Sequence, residues 1–449
     1  MTDSITITIN DDKIEANTDE TIWEVASRNN IKIPHLCHKP ADGYRPDGNC
    51  RACMVEIDGE RTLAASCIRN VNDGMVIKTE SDRATKARNM VLELLVTDQP
   101  SQVDAHDPAS TLWHFANAAE LNSSRFPQHS AAKPDSSHPA IAVNMDACIQ
   151  CGLCVRACRE VQVNDVIGLA GRGPNAHIVF DLGDDMGAST CVGCGECVQA
   201  CPTGALMPKA SLDENGVFAN KPDRKVDSLC PYCGVGCQLT FNIQDDKILS
   251  VDGRPGPANR GRLCVKGRYG FDYIHNQDRL TTPMIRKSNC PKTREIPENP
   301  LENFRSASWA EALEFAASGL LKVREKDGGN ALAGFGSAKG SNEEAYLVQK
   351  LVRTGFGTNN VDHCTRLCHA SSVSALMETI GSGAVTAPFS EAENAEVIIV
   401  IGANPTVNHP VAATFIKNAV KAGSTLIVMD PRGQALTRHA THMIQFKPS

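Results

Sequence analysis

Cysteine is the residue type whose number and spacing indicate chemistry in this sequence. The 449 residues include 19 cysteines, and most of them fall in close-spaced sets of four. The N-terminus has no basic segment followed by an apolar run, and no stretch approaches the roughly 18 apolar residues that a membrane helix needs. We therefore expect a cytoplasmic protein without a membrane span, in which reduced cysteines bind metal rather than form disulfides.

The first set lies in CHKPADGYRPDGNCRAC and the following AASC. Ahead of it, SITITI and KIEAN predict two strands joined by a turn, and TIWEVASRNN predicts a helix with Thr21 and Glu24 as a capping box. This order is typical of a β-grasp ferredoxin domain, whose loop wraps a [2Fe-2S] cluster. A zinc site would also be satisfied by four thiolates. The predicted ligands are Cys37, Cys50, Cys53 and Cys67.

The second and third sets, CIQCGLCVRAC and CVGCGECVQACP, are the most specific signals. Each matches C-x2-C-x2-C-x3-C, the pattern of two-cluster ferredoxins, in which the fourth cysteine of each run binds the other cluster. Two neighbouring [4Fe-4S] clusters indicate an electron relay, and zinc competes poorly with this pattern. One predicted ligand set is Cys148, Cys151, Cys154 and Cys201, and the other is Cys191, Cys194, Cys197 and Cys158.

The fourth set combines the tight triplet in CPYCGVGC with a more distant cysteine in GRLCVKG. A glycine-permitted turn supplies three ligands of a third [4Fe-4S] cluster, and the distant thiol closes a larger loop around it. Lys266 follows the last ligand by two residues and could bridge the cluster to a neighbouring cofactor. The alternative is a solvated surface charge. The predicted ligands are Cys230, Cys233, Cys237 and Cys264.

From about Ser308 the pattern becomes α/β. Two helices are predicted to start at capping boxes, at Ser308 and at Ser341. AEVIIVIG and STLIVMDPR then predict two parallel strands, covered on both faces, around a helix. No G-x-G-x-x-G follows the first strand, so an NAD fingerprint is not supported. Ligands of such sheets lie at the carboxyl ends of strands; the alternative is that these residues only form turns. The residues expected to face a nucleotide are Gly402, Asn404, His409, Asp430 and Arg432.

Together these motifs resemble the catalytic subunit of cytoplasmic, NAD-dependent molybdenum or tungsten formate dehydrogenases, in the DMSO-reductase-like family. The first two modules are also similar to the large peripheral subunit of Complex I. The resemblance implies bis-molybdopterin guanine dinucleotide with molybdenum or tungsten, one [2Fe-2S] cluster and three [4Fe-4S] clusters. Relatives often carry a further cluster on one His and three Cys. This chain has no cysteine between Cys67 and Cys148, so we expect that cluster to be absent and His106 and His114 to be ordinary residues.

In that family the peptide after NNVD carries the side chain that ligates the metal, and TNNVDHCTRLCHAS resembles it. The resemblance makes Cys368 the ligand and places His369 where it could orient formate or move the released proton. The alternative for Cys368 is a small buried apolar residue in a helix. Cys364 and Cys290 are predicted to be structural.

The resemblance implies reversible oxidation of formate to CO2, with electrons passing through the clusters to a flavin- and NAD-binding, diaphorase-type partner in a hetero-oligomer. A formal net charge of -7 argues against a nucleic-acid partner. Two alternatives are an electron-transfer subunit of a Complex I-like or hydrogenase complex, and another molybdopterin oxidoreductase such as a nitrate reductase. Family members continue beyond QFKPS, so we expect a truncated chain that is a poor catalyst alone.

The fold class is multidomain α+β and α/β. The predicted domains are a β-grasp [2Fe-2S] domain (1–80), a helical connector and linker (81–140), a two-[4Fe-4S] ferredoxin-like domain (141–215), the [4Fe-4S] domain of a molybdopterin oxidoreductase (226–285) and a truncated α/β molybdopterin dinucleotide-binding region (300–449).

Overall fold

The chain divides into two units in the computed structural model, which describes residues 4–128, 133–218, 222–290, 292 and 297–448. The first unit contains Met1–Cys230, Val235–Gly270 and Phe389–Ser449, and the second contains Pro231–Gly234 and Phe271–Pro388. The region predicted as one α/β body, 300–449, is therefore divided between the two units. Within the described ranges no helix has both the length and the apolar character needed to cross a membrane.

A five-stranded mixed sheet and one helix form the N-terminal domain, as the sequence predicts. Its elements are β1 (Ser4–Ile9), β2 (Asp12–Asn17), α1 (Ile22–Arg28), β3 (Met54–Ile57), β4 (Ala64–Ala65) and β5 (Val76–Lys78). The strand order is β2-β1-β5-β3-β4, with β1 and β5 parallel. Helix α1 begins at the complete capping box of Thr21 and Glu24.

The hydrophobic core of this domain includes two cysteines of the first set. Ile7 and Ile9 of β1 pack with Ile22 of α1, and Cys53 and Cys67 belong to the same buried cluster. Burying an aliphatic side chain of this size contributes about 1.5–3 kcal/mol. The packing that stabilises the sheet thus also holds two of the predicted ligands.

Two connecting helices, α2 (Asp82–Val96) and α3 (Thr111–Ala118), build a second core. Ser81 and Ser110 cap their N-termini through side-chain oxygens. Leu92 and Trp113 from these helices share one buried cluster with Cys37, Cys50 and Cys151. The connector therefore packs against cysteines of both the first and the second set. Residues 129–132 of the predicted linker lie outside the described ranges.

The two-cluster module repeats one motif twice. Its elements are β6 (Ile141–Val143), α4 (Leu153–Arg156), β7 (Ile167–Ala170), β8 (His177–Phe180), α5 (Glu196–Ala200) and β9 (Leu206–Pro208). Strand β6 pairs with β9, and β7 pairs with β8, all antiparallel. Gly152 and Gly195 precede the two short helices with φ of 73° and 68°, a left-handed conformation that glycine adopts without strain.

The segment that carries the fourth set is a three-stranded antiparallel sheet followed by a short helix. Its elements are β10 (Arg224–Leu229), β11 (Gln238–Gln244), β12 (Lys247–Gly253) and α6 (Val265–Tyr269). Cys264 is the residue immediately before α6, so the helix start fixes its position.

The second unit contains helices and two small sheets. Its elements are β13 (Met284–Arg286), β14 (Phe304–Ser306), α7 (Trp309–Asp327), β15 (Gly334–Gly336), α8 (Asn342–Lys350), β16 (Val361–His363), α9 (Thr365–Cys368) and α10 (Ala370–Ile380). The capping box predicted at Ser341 is complete. At Ser308 only half of the predicted capping box forms. The Ser308 side chain accepts from the Glu311 N–H, but the Glu311 carboxylate pairs with Arg305 instead of accepting from the Ser308 N–H.

The predicted βαβ unit is present at the C-terminal end of the sequence. Its elements are β17 (Val397–Ile401), α11 (Pro405–Asn408), α12 (Pro410–Lys421), β18 (Thr425–Met429) and β19 (His442–Ile444), and the three strands run parallel. The stretch between β17 and α12 contains the one-turn helix α11. Pro405 suits its start because proline lacks the N–H that a first turn leaves unpaired.

The expected cover on both faces of this sheet is not found in the described part of the chain. Val397, Ile399 and Ile401 of β17 are 55%, 60% and 60% exposed, whereas Val400 is buried. Successive side chains of a strand point to opposite faces. The continuous apolar run of β17 therefore predicted that both faces of the sheet are buried. Only one face of β17 packs against neighbours in the described part of the chain.

His106 makes a mostly buried ion pair that ties the connector to the two-cluster module. Its Nε2 lies 3.0 Å from Asp146 Oδ2, and its Nδ1 lies 3.3 Å from the Gly216 carbonyl oxygen. Both partners are acceptors, so the protonated ring, which donates from both nitrogens, is favoured. The hydrogen bond to Asp146 is the main cause of the raised pKa of His106.

We expect His106→Gln to lower the free energy of unfolding by about 1–2 kcal/mol at acidic pH, because a charge-assisted hydrogen bond is lost. The full difference holds below a pH of about 6.5, where the unfolded histidine is also protonated. It shrinks as the pH rises through the higher pKa of the folded state. Urea unfolding of both proteins across this pH range, with His114→Gln as the control, measures it. A difference that grows with pH would contradict this assignment.

Candidate functional site

The four cysteines of the first set converge between the two cores described above. All four are buried thiols outside disulfides, and Cys53 Sγ lies 3.5 Å from Cys67 Sγ. The Cys50 N–H donates to Cys37 Sγ at 3.4 Å. Hydrogen bonds from Cys50 and Cys67 lower the pKa of the Cys37 thiol, while those two thiols have raised pKa values. On binding a cation, the group would bind it as thiolates and release its protons to solvent.

The second and third sets meet crosswise. One small space of 20 Å³ has three cysteines of the first run and the fourth cysteine of the second run in its wall, namely Cys148, Cys151, Cys154 and Cys201. On the other side, the charge of Cys158 adds to the burial that raises the pKa values of Cys191 and Cys194. The structure thus brings each run together with the last cysteine of the other.

The chemistry of these thiols suits a cationic cluster. Burial raises the pKa of Cys148 to about 11 and that of Cys194 to about 12, so the neutral thiol is favoured when no cation is near. Backbone N–H groups nonetheless point at the sulfurs, as Val166 does towards Cys158 at 3.3 Å. Such donors stabilise a thiolate and tune the potential of an iron–sulfur cluster. Among the described residues, no three His, Cys, Asp or Glu are grouped to hold one single metal ion.

The four cysteines of the fourth set are divided between the two units. In the first unit the Cys230 N–H donates to the Cys237 carbonyl oxygen at 2.9 Å, and both side chains are buried. Cys264 precedes α6 in the same unit. Cys233 belongs to the segment Pro231–Gly234 of the second unit. Three of the four predicted ligands are therefore positioned by the first unit.

A junction of buried charges lies beside the third and fourth sets. Glu196, which is 3% exposed, accepts a hydrogen bond from Tyr44 Oη at 2.8 Å and lies 3.6 Å from Arg268. The Arg268 Nε donates to the Cys194 carbonyl oxygen at 3.2 Å. Side chains from the loop after Cys37 and from α6 therefore meet on the helix of the second run. No local pattern in the sequence indicates this network, because its members are far apart in the chain.

A cavity of 570 Å³ lies next to the third and fourth sets within the first unit. Its wall includes Cys194, Cys264 and Lys266, together with Val407 from α11. This volume is in the range of small-molecule sites, which combine apolar walls with a few polar groups. The sequence prediction that Lys266 lies between a cysteine set and a cofactor space is consistent with this position.

Two further cations line the cavity and were missed by sequence reasoning. Lys417 of α12 donates to the Gln162 and Val163 carbonyl oxygens at 2.7 and 3.0 Å. Burial lowers the pKa of Lys417 to about 8. Arg438 donates to the Asn164 carbonyl oxygen at 3.0 Å. The only sequence signal for Lys417 was one charge on an otherwise apolar helix face.

The predicted strand-end residues lie together at the carboxyl ends of β17 and β18. Asp430 is 7% exposed, and its Oδ1 accepts from the Arg432 N–H at 3.0 Å. Asn404 Oδ1 accepts from Thr406 Oγ1 at 2.7 Å, and Thr406 is also part of the cavity wall. Gly402 has a φ of 59°, so a side chain there would strain the backbone.

His409 leaves a polar atom for a ligand. Its buried Nδ1 has no hydrogen-bond partner in the described part of the chain, and an unsatisfied buried group costs about 1–3 kcal/mol. The residues at this end of the sheet therefore fit a polar ligand such as a nucleotide.

Cys368 and His369 lie in the second unit. Cys368 ends the one-turn helix α9, and both residues are exposed. Exposure contradicts the alternative of a small buried apolar cysteine. Cys364 is exposed as well, with its Sγ 3.6 Å from His363 Nδ1.

Comparison with known proteins identifies the domains in the same order. The matching families are a 2Fe-2S iron-sulfur cluster binding domain (residues 2–82), a 4Fe-4S dicluster domain (147–205), a molybdopterin oxidoreductase Fe4S4 domain (223–276) and molybdopterin oxidoreductase (279–448). This order confirms the predicted architecture.

Similar curated proteins come from Bacillus subtilis (strain 168). "Probable oxidoreductase YjgC" is 31% identical over 98% of this chain and 47% of its own length. "Putative formate dehydrogenase YrhE" is 30% identical over 99% of this chain and 48% of its own length. The chain spans about half the length of these relatives. A chain from the crystal structure of NAD+-reducing [NiFe]-hydrogenase in the H2-reduced state is 28% identical with a TM-score of 0.42, over 46% of this chain and 89% of that one.

The cysteine geometry and the four domain matches agree. The chain thus matches, in order, the models of a 2Fe-2S, a 4Fe-4S dicluster, a molybdopterin oxidoreductase Fe4S4 and a molybdopterin oxidoreductase domain, and it is similar to proteins named as putative formate dehydrogenases.

Proposed function

We propose that the chain belongs to the catalytic subunit of a formate dehydrogenase, which oxidises formate to CO2 and can run in reverse. The observation that carries this proposal is the presence, in one chain, of four cysteine sets and an exposed Cys368–His369 pair. The similarity to YrhE supports formate as the substrate.

The cysteine sets would hold four iron–sulfur clusters. The crosswise meeting of the second and third sets favours two [4Fe-4S] clusters, each with one ligand from the other run. The first set would hold a [2Fe-2S] cluster and the fourth a third [4Fe-4S] cluster. The proposed ligand sets are Cys37, Cys50, Cys53 and Cys67; Cys148, Cys151, Cys154 and Cys201; Cys191, Cys194, Cys197 and Cys158; and Cys230, Cys233, Cys237 and Cys264.

The cavity and the strand ends would hold part of a bis-molybdopterin guanine dinucleotide that carries molybdenum or tungsten. Lys266 and Arg438 give the cavity positive charge, which suits phosphate groups. The buried Asp430 carboxylate could accept hydrogen bonds from guanine or ribose, and His409 Nδ1 awaits a partner. The remaining proposed contacts are Gly402, Asn404 and Arg432.

The bound metal would supply the two-electron chemistry of formate oxidation. The chain's own contribution is Cys368 as a thiolate ligand. His369, next in sequence, would orient formate or take the proton that the reaction releases. Both side chains are exposed, so neither needs to leave a packed core to meet a substrate.

The proposed electron acceptor is a flavin- and NAD-binding partner subunit in a hetero-oligomer. The loop after β17 reads GANPTVNHP and lacks the G-x-G-x-x-G of a dinucleotide fingerprint. Nicotinamide reduction would therefore take place on the partner.

The full-length enzyme, purified anaerobically with its partners, tests this proposal. We expect molybdenum or tungsten, a pterin, and dye reduction that depends on formate. Iron without either metal, and no formate-dependent turnover, would favour an electron-transfer subunit instead. Turnover with nitrate but not formate would favour another molybdopterin oxidoreductase.

Serine exchange at single cysteines tests the crosswise ligation. We expect Cys201→Ser to perturb the same electron paramagnetic resonance signal as Cys148→Ser, because both residues would bind one cluster. Cys191→Ser should perturb the other [4Fe-4S] signal of the pair. A Cys201→Ser spectrum that matches Cys191→Ser would contradict the crossing and assign each run to its own cluster.

Alanine exchange tests the role of Cys368. In the full-length enzyme, Cys368→Ala should lower the formate-dependent kcat by more than about 100-fold, since even groups behind a metal ligand account for 10–100-fold. Iron content should stay at the parent value. Cys364→Ala, four residues earlier and equally exposed, is the matched control and should retain activity. Parent-like turnover by Cys368→Ala would remove it from the proposed site.

A further inference from the structure

The peptides that carry the first and second cysteine sets are joined by one buried arginine. Arg156 lies between two predicted ligands of the second set, Cys154 and Cys158, and it is 2% exposed. Its Nη2 donates to the Cys37 carbonyl oxygen at 2.6 Å, and its Nη1 pairs with the Asp47 carboxylate. A side chain from one ligand peptide thus binds the backbone of the other at a ligand residue.

A second hydrogen bond runs in the opposite direction. Asn49, next to Cys50, donates from Nδ2 to the Cys151 carbonyl oxygen at 3.4 Å. A Cβ built on Gly152 would lie 3.5 Å from Arg156 Nη1 and 3.6 Å from Asn49 Nδ2, so both donors pack directly on the peptide after Cys151. Cys37, Cys50 and Cys151 share one apolar core. The two cysteine sets are therefore held together by reciprocal bonds and by common packing.

The cost of burying this guanidinium indicates a role beyond packing. Arg156 Nε has no hydrogen-bond partner among the described residues. A buried ion pair seldom stabilises a fold more than apolar side chains of the same size. A fixed positive charge in a low-dielectric interior does, however, favour an additional electron on a neighbouring site.

We propose that Arg156 is a positioning residue for electron transfer between the first and second cysteine sets, and that its charge raises the reduction potential of the [2Fe-2S] site. The inference rests on the cluster ligation proposed above. Each transfer would oxidise the neighbouring [4Fe-4S] site and reduce the [2Fe-2S] site by one electron. No cysteine lies between Cys67 and Cys148, so this contact would connect the two sites without another cluster between them.

Redox titration of the [2Fe-2S] signal in the purified full-length enzyme tests the charge. At the potential where the parent site is half reduced, we expect Arg156→Met to lower the reduced-to-oxidised ratio about tenfold, which is 59 mV for a one-electron couple. Arg159→Met is the matched control, because Arg159 carries the same charge next to Cys158 but its side chain is 58% exposed. It should leave the ratio at the parent value.

Arg156→Lys separates charge from contact. Lysine keeps the positive charge but lacks the planar fork that reaches two acceptors. We expect a ratio close to that of the parent, together with slower reduction of the [2Fe-2S] site after rapid mixing with reductant and formate.

The iron content of each variant is measured as well. If Arg156→Met loses iron, the result for Arg156→Lys decides the test. Two results in variants with full iron content would overturn the inference. One is a reduced-to-oxidised ratio and a reduction rate in the Arg156 variants that equal those of the parent. The other is an equal shift of the ratio in Arg156→Met and Arg159→Met. The titration needs no formate. A parent that carries the clusters but does not oxidise formate would therefore refute the proposed function and leave this test intact.

Discussion

Desolvation of the cysteine thiols is the constraint on which the rest of the structure depends. A thiolate is costly in an apolar interior, and burial raises the pKa values of Cys148, Cys151 and Cys194. Three hydrophobic cores nevertheless include cysteines among their buried members. The proposed iron ligation would resolve this conflict, because iron binds the thiolate form and makes metal binding part of the folding free energy. The same buried cysteines thus belong both to the hydrophobic cores and to the predicted cluster sites.

The same constraint explains the charges found between the sets. Glu196 and Arg268 lie beside the Cys194 peptide, and Lys417 binds the carbonyl oxygens after Cys158. Each is buried, so each acts at a low dielectric constant where a single charge has a large effect. These groups also tie separate modules of the first unit to the helices that carry the ligands. The same side chains therefore hold the modules together and place charge beside the predicted ligands.

Local signals in the sequence predicted much of this architecture. The alternation in SITITI, the capping boxes at Thr21 and Ser341, and the apolar strands of the βαβ unit depend on neighbouring residues, and each is present. The spacing of the cysteines within each set is likewise a local feature of the sequence. The crosswise grouping needed one family rule in addition, that of two-cluster ferredoxins.

The groups that sequence reasoning missed act over long distances in the chain. Lys417 binds Gln162 from 255 positions away, and Arg156 reaches Cys37 from 119 positions away. A single sequence has no periodicity that reports such contacts. The two errors of local prediction have local causes. The Glu311 carboxylate had a competing partner in Arg305, and an apolar strand does not reveal how many of its faces are covered.

Quantification of iron and acid-labile sulfide in the anaerobically purified chain, with mass spectrometry of its cysteines, tests the central claim most directly. Four clusters of the proposed types predict about 14 iron atoms per chain, a similar amount of sulfide, and no disulfides within the four sets. A colourless protein without iron, a chain that carries zinc in its place, or disulfide bridges at these sulfurs would contradict the account.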